Sequence, residues 1–222
     1  MEDTIVFFGS ARAKSPEQVE ALEAKSSLDT QQTAQVRRLS AYYEHARSLA
    51  ARLTTWSLDT RPADRQLVVT TGGGPGIMEG ANRGASEAGG LTVGLGISLP
   101  SEQGLNRYVP SELGFEFHYF FLRKYWFAYL AKAIVGFPGG LGTLDELLEV
   151  LTLVQTGKIK KHLPVVLFGK EYWTSMLNID ALERWGTISP KDKDIFHVSD
   201  SVDDAVEFLT RELAPTPAQR HA

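Results

Sequence analysis

The chain has 222 residues, 43% of them hydrophobic, enough to bury one sizeable core without a second domain. Its 23 basic and 27 acidic residues leave a net charge of -4 and form no basic stripe with interleaved aromatics, which argues against a nucleic-acid partner. Cysteine is absent, the acidic N-terminus runs straight into a strand-like stretch rather than a signal peptide, and no apolar run reaches transmembrane length. A cytoplasmic protein without disulfides, thiolate metal sites or membrane contact is expected.

Residues 4 to 8 (TIVFF) form a short apolar run that ends at Gly9-Ser10, as a buried first strand ending in a tight loop would. The polar residues 13 to 32 read as a peripheral insertion. Val36, Leu39, Tyr43, Ala46, Leu49, Ala50 and Leu53 then share one face of a helix over 33–54. A β-branched strand over 66–71 leads into Gly72-Gly73-Gly74-Pro75-Gly76 and a small-residue helix that Gly89-Gly90 ends. A third strand covers 91–97, a loop 99–114, and a short edge strand 115–117. Residues 118–132 (HYFFLRKYWFAYLAK) are apolar nearly all round, which predicts a helix buried on most faces. The aromatics over 115–129 belong either to the core or to a subunit interface. A strand over 133–137 feeds Pro138-Gly139-Gly140-Leu141-Gly142-Thr143, after which apolar positions 144, 147, 148, 151 and 154 give a helix an inward face. Strands over 164–168 and 195–198, a helix over 171–185 and a closing helix over 202–213 complete the series. Residues 215–222 read as a flexible tail, leaving a single domain over 1–214.

Short, continuously apolar strands alternating with helices predict an α/β fold with a Rossmann-like, doubly wound parallel sheet in three α/β/α layers. Such sheets bind ligands at the carboxyl ends of their strands, near the point where strand order reverses. Each glycine turn would place unpaired helix amides and the positive end of the helix dipole at that edge. Two such turns together with Gly9 and Ser10 could hold a phosphorylated ligand; the plainer alternative is that the glycines only permit tight turns. Neither turn is a Walker loop, because no lysine follows the glycines, and Ile77 and Asp145 stand where a dinucleotide fingerprint needs glycine. The five histidines are dispersed without metal-ligand spacing, and no Gly-x-Ser-x-Gly elbow is present. No metal and no cofactor is expected.

Asp145 and Glu146 lie in the first turn of the helix that follows Gly142. Carboxylates are common at helix starts, yet beside an anion site they would repel phosphate unless one faces another part of the ligand. Next to a sugar, a carboxylate can stabilise positive charge developing at the anomeric carbon or polarise the attacking water. Arg123 and Lys124, in the most apolar helix, are either structural ion-pair partners or cations that meet a phosphate or a site carboxylate. Glu79 is either an ordinary helix-face residue or a ligand contact.

Taken together, residues 71–84 (TGGGPGIMEGANRG), 120–124 (FFLRK) and 138–146 (PGGLGTLDE) resemble the Lonely Guy family, long labelled putative lysine decarboxylases. The similarity runs from Ile5 to Leu213. It implies a Rossmann-like fold, a homodimer or higher oligomer, and hydrolysis of a nucleoside 5′-monophosphate, AMP or a cytokinin riboside monophosphate, to free base and ribose 5-phosphate. It further implies Arg123 and Glu146 as the catalytic pair. Lys124, Gly139, Gly140, Leu141, Gly142, Thr143 and Asp145 become ligand-binding residues, joined by Gly9, Ser10, Gly73, Gly74, Glu79, Glu102 and Thr152. The alternative on the same scaffold is a non-catalytic carrier of a nucleotide or of molybdenum cofactor. Amino-acid decarboxylation would need a lysine poised for a Schiff base, and nothing around Lys124 or Lys132 indicates one.

Overall fold

The computed structural model describes residues 3–25, 28–98 and 104–214. Seven strands, β1 (Thr4–Phe8), β2 (Val68–Thr71), β3 (Thr92–Ile97), β4 (Gly114–Phe117), β5 (Ala131–Gly136), β6 (Val165–Phe168) and β7 (His197–Ser199), form one parallel sheet in the order β4-β3-β2-β1-β5-β6-β7. The chain builds outward from β1 to β4, returns, and continues from β5 on the other side of β1. The order therefore reverses between β1 and β5, with Val6 opposite both Thr70 and Ile134.

Alternation along β1 divides the core. Ile5 and Phe7 face a layer of α2 (Thr30–Thr60), α3 (Ile77–Glu87) and α8 (Val202–Leu213), packing with Leu49, Leu53, Ala81 and Leu209. Val6 and Phe8 face the layer holding α4 (Phe120–Leu130) and α5 (Leu141–Gln155), packing with Phe127, Leu147 and Val150. The expected three-layer, doubly wound Rossmann-like architecture is thus present. Among the described residues, no helix is long and apolar enough to cross a membrane.

Three local differences from the sequence reading have identifiable causes. Residues 13–32 include a helix, α1 (Pro16–Ala24), which begins in a Ser15–Gln18 capping box and buries Val19, while Ala13 joins the core. Helix α2 begins at Thr30 because Asp29 and Gln32 cap each other reciprocally, the Gln32 amide donating to Asp29 at 2.7 Å and the Asp29 amide to Gln32 at 3.0 Å. The helix expected over 171–185 is two, α6 (Lys170–Met176) and α7 (Ile179–Arg184), because the Asn178 side chain accepts from the Ala181 amide and starts a new helix.

The largest correction concerns α4. It is not buried on most faces: Phe127 and Leu130 are buried, but Tyr119, Phe121 and Tyr129 are each at least 60% exposed, and Phe120, Tyr125 and Trp126 are exposed as well. As part of an outer layer, α4 covers the sheet with one face and leaves its other aromatics toward solvent. Residues 131 and 132 belong to β5.

Candidate functional site

Backbone hydrogen bonds stitch the three glycine-bearing loops together at the carboxyl edge. Ser10 follows β1; its amide donates to the Pro138 carbonyl at 3.0 Å, and its carbonyl accepts from the Ile77 amide, also at 3.0 Å. The Phe137 amide reaches the Phe8 carbonyl at 2.8 Å. One peptide segment, Gly9-Ser10, thus holds the start of α3 against the loop that opens α5. Thr71 extends the arrangement to β2, where its hydroxyl accepts from the Gly73 amide at 2.8 Å.

Four of the charged residues singled out above, Arg123, Lys124, Asp145 and Glu146, converge between α4 and α5. Arg123 Nη2 donates to Glu146 Oε1 at 2.8 Å, with side-chain exposures of only 13% and 7%. The guanidinium also lies over Phe120 and Phe127, at 5.2 and 5.8 Å from the ring centroids. Burial pushes the Glu146 carboxyl above the ordinary carboxylate value, and the positive charge of Arg123 acts in the opposite direction. Next to this pair, Lys124 bridges Asp145 at 2.7 Å and Glu149 at 2.9 Å. Burial draws the Lys124 ammonium down, but the two carboxylates outweigh it and the pKa is raised. The result is a buried arginine–carboxylate pair bordered by a lysine and two more exposed carboxylates.

The remaining predicted residues fall into distinct settings. Thr143 is buried, packed under Gly139, while Gly140, Leu141 and Gly142 are exposed at the start of α5. Thr152 is exposed two turns beyond Asp145 on the same helix face, and its hydroxyl donates back to the Leu148 carbonyl at 2.8 Å. Glu79, in the first turn of α3, accepts from the Tyr43 hydroxyl at 3.3 Å, and burial pushes that hydroxyl up to about 12. Gly73 and Gly74 lie in the turn after β2, separated from the β5 turn that carries Gly140 only by β1 and its Gly9-Ser10 loop. Glu102 falls outside the described residues.

Sequence reasoning missed several participants. Asn106 donates to the carbonyls of Gly73 and Gly74 at 3.0 and 3.1 Å, and Tyr172 donates its hydroxyl to the Gly139 carbonyl. A cleft of about 320 Å³ at the same edge is lined by Ser10, Arg38, Tyr42, Gly139, Glu171 and Tyr172, among others. Two of these, Ser10 and Gly139, were expected as ligand contacts; Arg123 and Glu146 do not line it. The cleft lies between α6 and α2, which at 31 residues and about 46 Å is the longest described helix. The capping box was a readable sign of that extra length, whereas nothing in the sequence marks Asn106 or Tyr172 beyond residue type.

The family described as "Possible lysine decarboxylase" matches residues 78–209, more than half of the chain. The chain is 39% identical over 95 residues to cytokinin riboside 5′-monophosphate phosphoribohydrolase LOG3 of Arabidopsis thaliana, a match spanning 42% of this chain and 43% of that protein. It is 30% identical over 157 residues to the probable cytokinin riboside 5′-monophosphate phosphoribohydrolase LOG4 of Oryza sativa subsp. japonica, covering 68% of this chain and 66% of the relative. The first of these matches therefore spans less than half the length of the relative concerned. Among solved structures, the molybdenum cofactor carrier protein of Chlamydomonas reinhardtii superposes with a TM-score of 0.56 at 20% identity, over 96% of this chain and 99% of that one, a likeness of fold. With a family match over residues 78–209 that takes in Arg123, the glycine turn at 139–142 and Glu146, the chain belongs to the Lonely Guy family.

Proposed function

We propose that the chain hydrolyses the N-glycosidic bond of a nucleoside 5′-monophosphate, releasing the free base and ribose 5-phosphate. The observation that carries this reading is the Arg123–Glu146 pair, 2.8 Å apart and largely withdrawn from water beside the start of α5. Water is the second substrate. As the bond from the anomeric carbon to the base nitrogen breaks, its electron pair leaves with the base, and positive charge develops on the sugar. Glu146, ionised, stabilises that charge or takes a proton from the attacking water; a proton completes the departing base. Arg123 holds the carboxylate ionised despite its burial and fixes its orientation. Gly139, Gly140 and Gly142, with Thr143, present the amide-rich end of α5 to the 5′-phosphate, and Lys124 adds positive charge there.

AMP and cytokinin riboside monophosphates are the substrates this reading favours; the names of the relatives support the second and general nucleotide chemistry the first. The exposed aromatic face of α4 supports a homodimer joined through that helix, beside the arginine–glutamate pair. Decarboxylation is disfavoured, since a Schiff-base lysine needs a lowered pKa and that of Lys124 is raised. Lys161 is drawn down to about 8 by burial, but its ammonium donates to the Ala128 and Tyr129 carbonyls just before β5, at the opposite edge of the sheet. Incubating purified protein with AMP or isopentenyl-AMP and resolving the products chromatographically tests the proposal: base and ribose 5-phosphate are expected in equal amounts. Nucleotide retained through purification and never cleaved would instead support a carrier.

A further inference from the structure

Asn106, in the loop before β4, holds the first glycine turn through both its backbone and its side chain. Its backbone amide donates to the Gly73 carbonyl at 2.7 Å, and its side-chain amide reaches the Gly73 carbonyl at 3.0 Å, the Gly74 carbonyl at 3.1 Å and Asn82 Oδ1 at 2.9 Å. The opposite end of the side chain, Oδ1, accepts from the Tyr108 amide at 3.2 Å, so both ends of the amide are engaged, its two N–H groups shared among three acceptors. Asn82 is fully buried, and it in turn accepts from the Thr71 hydroxyl at 2.7 Å and donates to Thr92. The first turn is therefore anchored by a polar network reaching from β2 and β3 to the loop before β4.

Anchoring has a directional consequence. A trans peptide points its carbonyl and its N–H to opposite sides, and the described backbone contains no cis peptide. With the Gly73 carbonyl drawn toward Asn106, the N–H of Gly74 must face the other way. The Gly73 N–H is already held by Thr71, and Pro75 has no N–H. Gly74 is thus a position where this turn can offer a donor outward.

We infer that Asn106 is a positioning residue that locks the Gly73–Gly74 peptide with the Gly74 N–H directed at an oxygen acceptor of the bound nucleotide's ribose phosphate. The inference rests on the nucleotide reading above, and binding separates it from turnover. Asn106→Asp is nearly isosteric, but its ionised carboxylate cannot donate to two carbonyls and repels them; protonated, it regains one donor. Calorimetric Kd values for AMP and ribose 5-phosphate at pH 8 and pH 5, each relative to wild type at the same pH, are the readout. At least a tenfold weaker Kd at pH 8 is expected, about the worth of one hydrogen bond to a charged group, with partial recovery at pH 5. If Asn106→Asp does not fold, Asn106→Ser, which keeps a single hydroxyl donor, replaces it and should bind between wild type and Asn106→Ala. A Kd within twofold of wild type at pH 8, an equal deficit at both pH values, or a serine variant no better than alanine overturns the inference. Wild type that binds neither compound overturns the inference and the nucleotide reading together. Wild type that binds AMP without releasing adenine overturns the hydrolytic reading alone.

Discussion

The turn after β2 and the turn after β5 look alike as strings of glycine, yet one is braced by its own protein and the other is left open. In the first, Gly73 and Gly76 take φ of +72° and +75°, and Asn106 and Leu105 cover the loop. A Cβ on Gly76 would collide with the Ser10 carbonyl and with Ala11. In the second, a Cβ on Gly140 or Gly142 would meet nothing within 4 Å, and Gly140 has an ordinary φ of -86°. The fold requires glycine in the first turn. It does not require glycine at positions 140 and 142, where Leu141 between them is 85% exposed. Glycines that serve no internal packing fit a surface that something outside the chain approaches closely.

The difference extends to the charges. Around the first turn, Asn82, Thr71, Thr92 and Asn106 satisfy one another without net charge. Around the second, Arg123, Lys124, Asp145, Glu146 and Glu149 crowd together, with the buried pair at the centre. Neutral networks fix a shape, whereas a largely desolvated charge pair is where a carboxylate can be set for chemistry.

The sharpest way to break this comparison is Arg123→Ala. It removes the charge that opposes burial of Glu146, so the Glu146 pKa, already raised, rises further. Turnover needs the ionised carboxylate and is lost as pH falls through that pKa. The acid limb of kcat should therefore move to higher pH, and kcat at neutral pH should fall by roughly 10²-fold or more. The same shift bears on stability with the opposite sense: protonation relieves the burial cost. The contribution of Glu146 is thus most favourable below the ordinary 4.5 and is lost as pH rises through the raised value. An unmoved acid limb in a pH–rate profile would separate Glu146 from the titration.

A second test contrasts the turns directly. Gly76→Ala forces a side chain into left-handed backbone and into Ser10, and should cost about 3 kcal/mol, lowering Tm by roughly 10 °C. Gly142→Ala should leave Tm unchanged or slightly higher, because alanine is the better helix former by about 1 kcal/mol, while KM for the nucleotide rises about tenfold. Thermal melts and steady-state kinetics on the two variants measure both effects. Equal losses of stability would erase the distinction between the turns.

Much of the fold was legible because its causes are local. The apolar runs 4–8 and 164–168, the face shared by Tyr43, Ala46, Leu49 and Leu53, and the closing helix over 202–213 each follow from periodicity within one element. The exposure of α4 was not legible, since an apolar sequence states that a surface avoids water but not whether its own chain or another covers it. The site divides the same way. The motif at 138–146 places Asp145 and Glu146 by itself, whereas the contact of Arg123 with Glu146 depends on how α4 and α5 pack, and resemblance rather than pattern anticipated it. Asn106 was invisible because its partners are backbone carbonyls more than thirty positions away, and backbone leaves no trace in residue identity.

The central claim is that Glu146, held by Arg123 beside an open glycine turn, performs glycosidic hydrolysis. Its most direct test is AMP turnover by wild type and Glu146→Gln side by side, at matched Tm, with adenine and ribose 5-phosphate both quantified. The account predicts equimolar products from wild type and a rate about 10²- to 10³-fold lower in the variant. Undiminished turnover in Glu146→Gln would contradict it, as would the absence of product from AMP and cytokinin nucleotides alike.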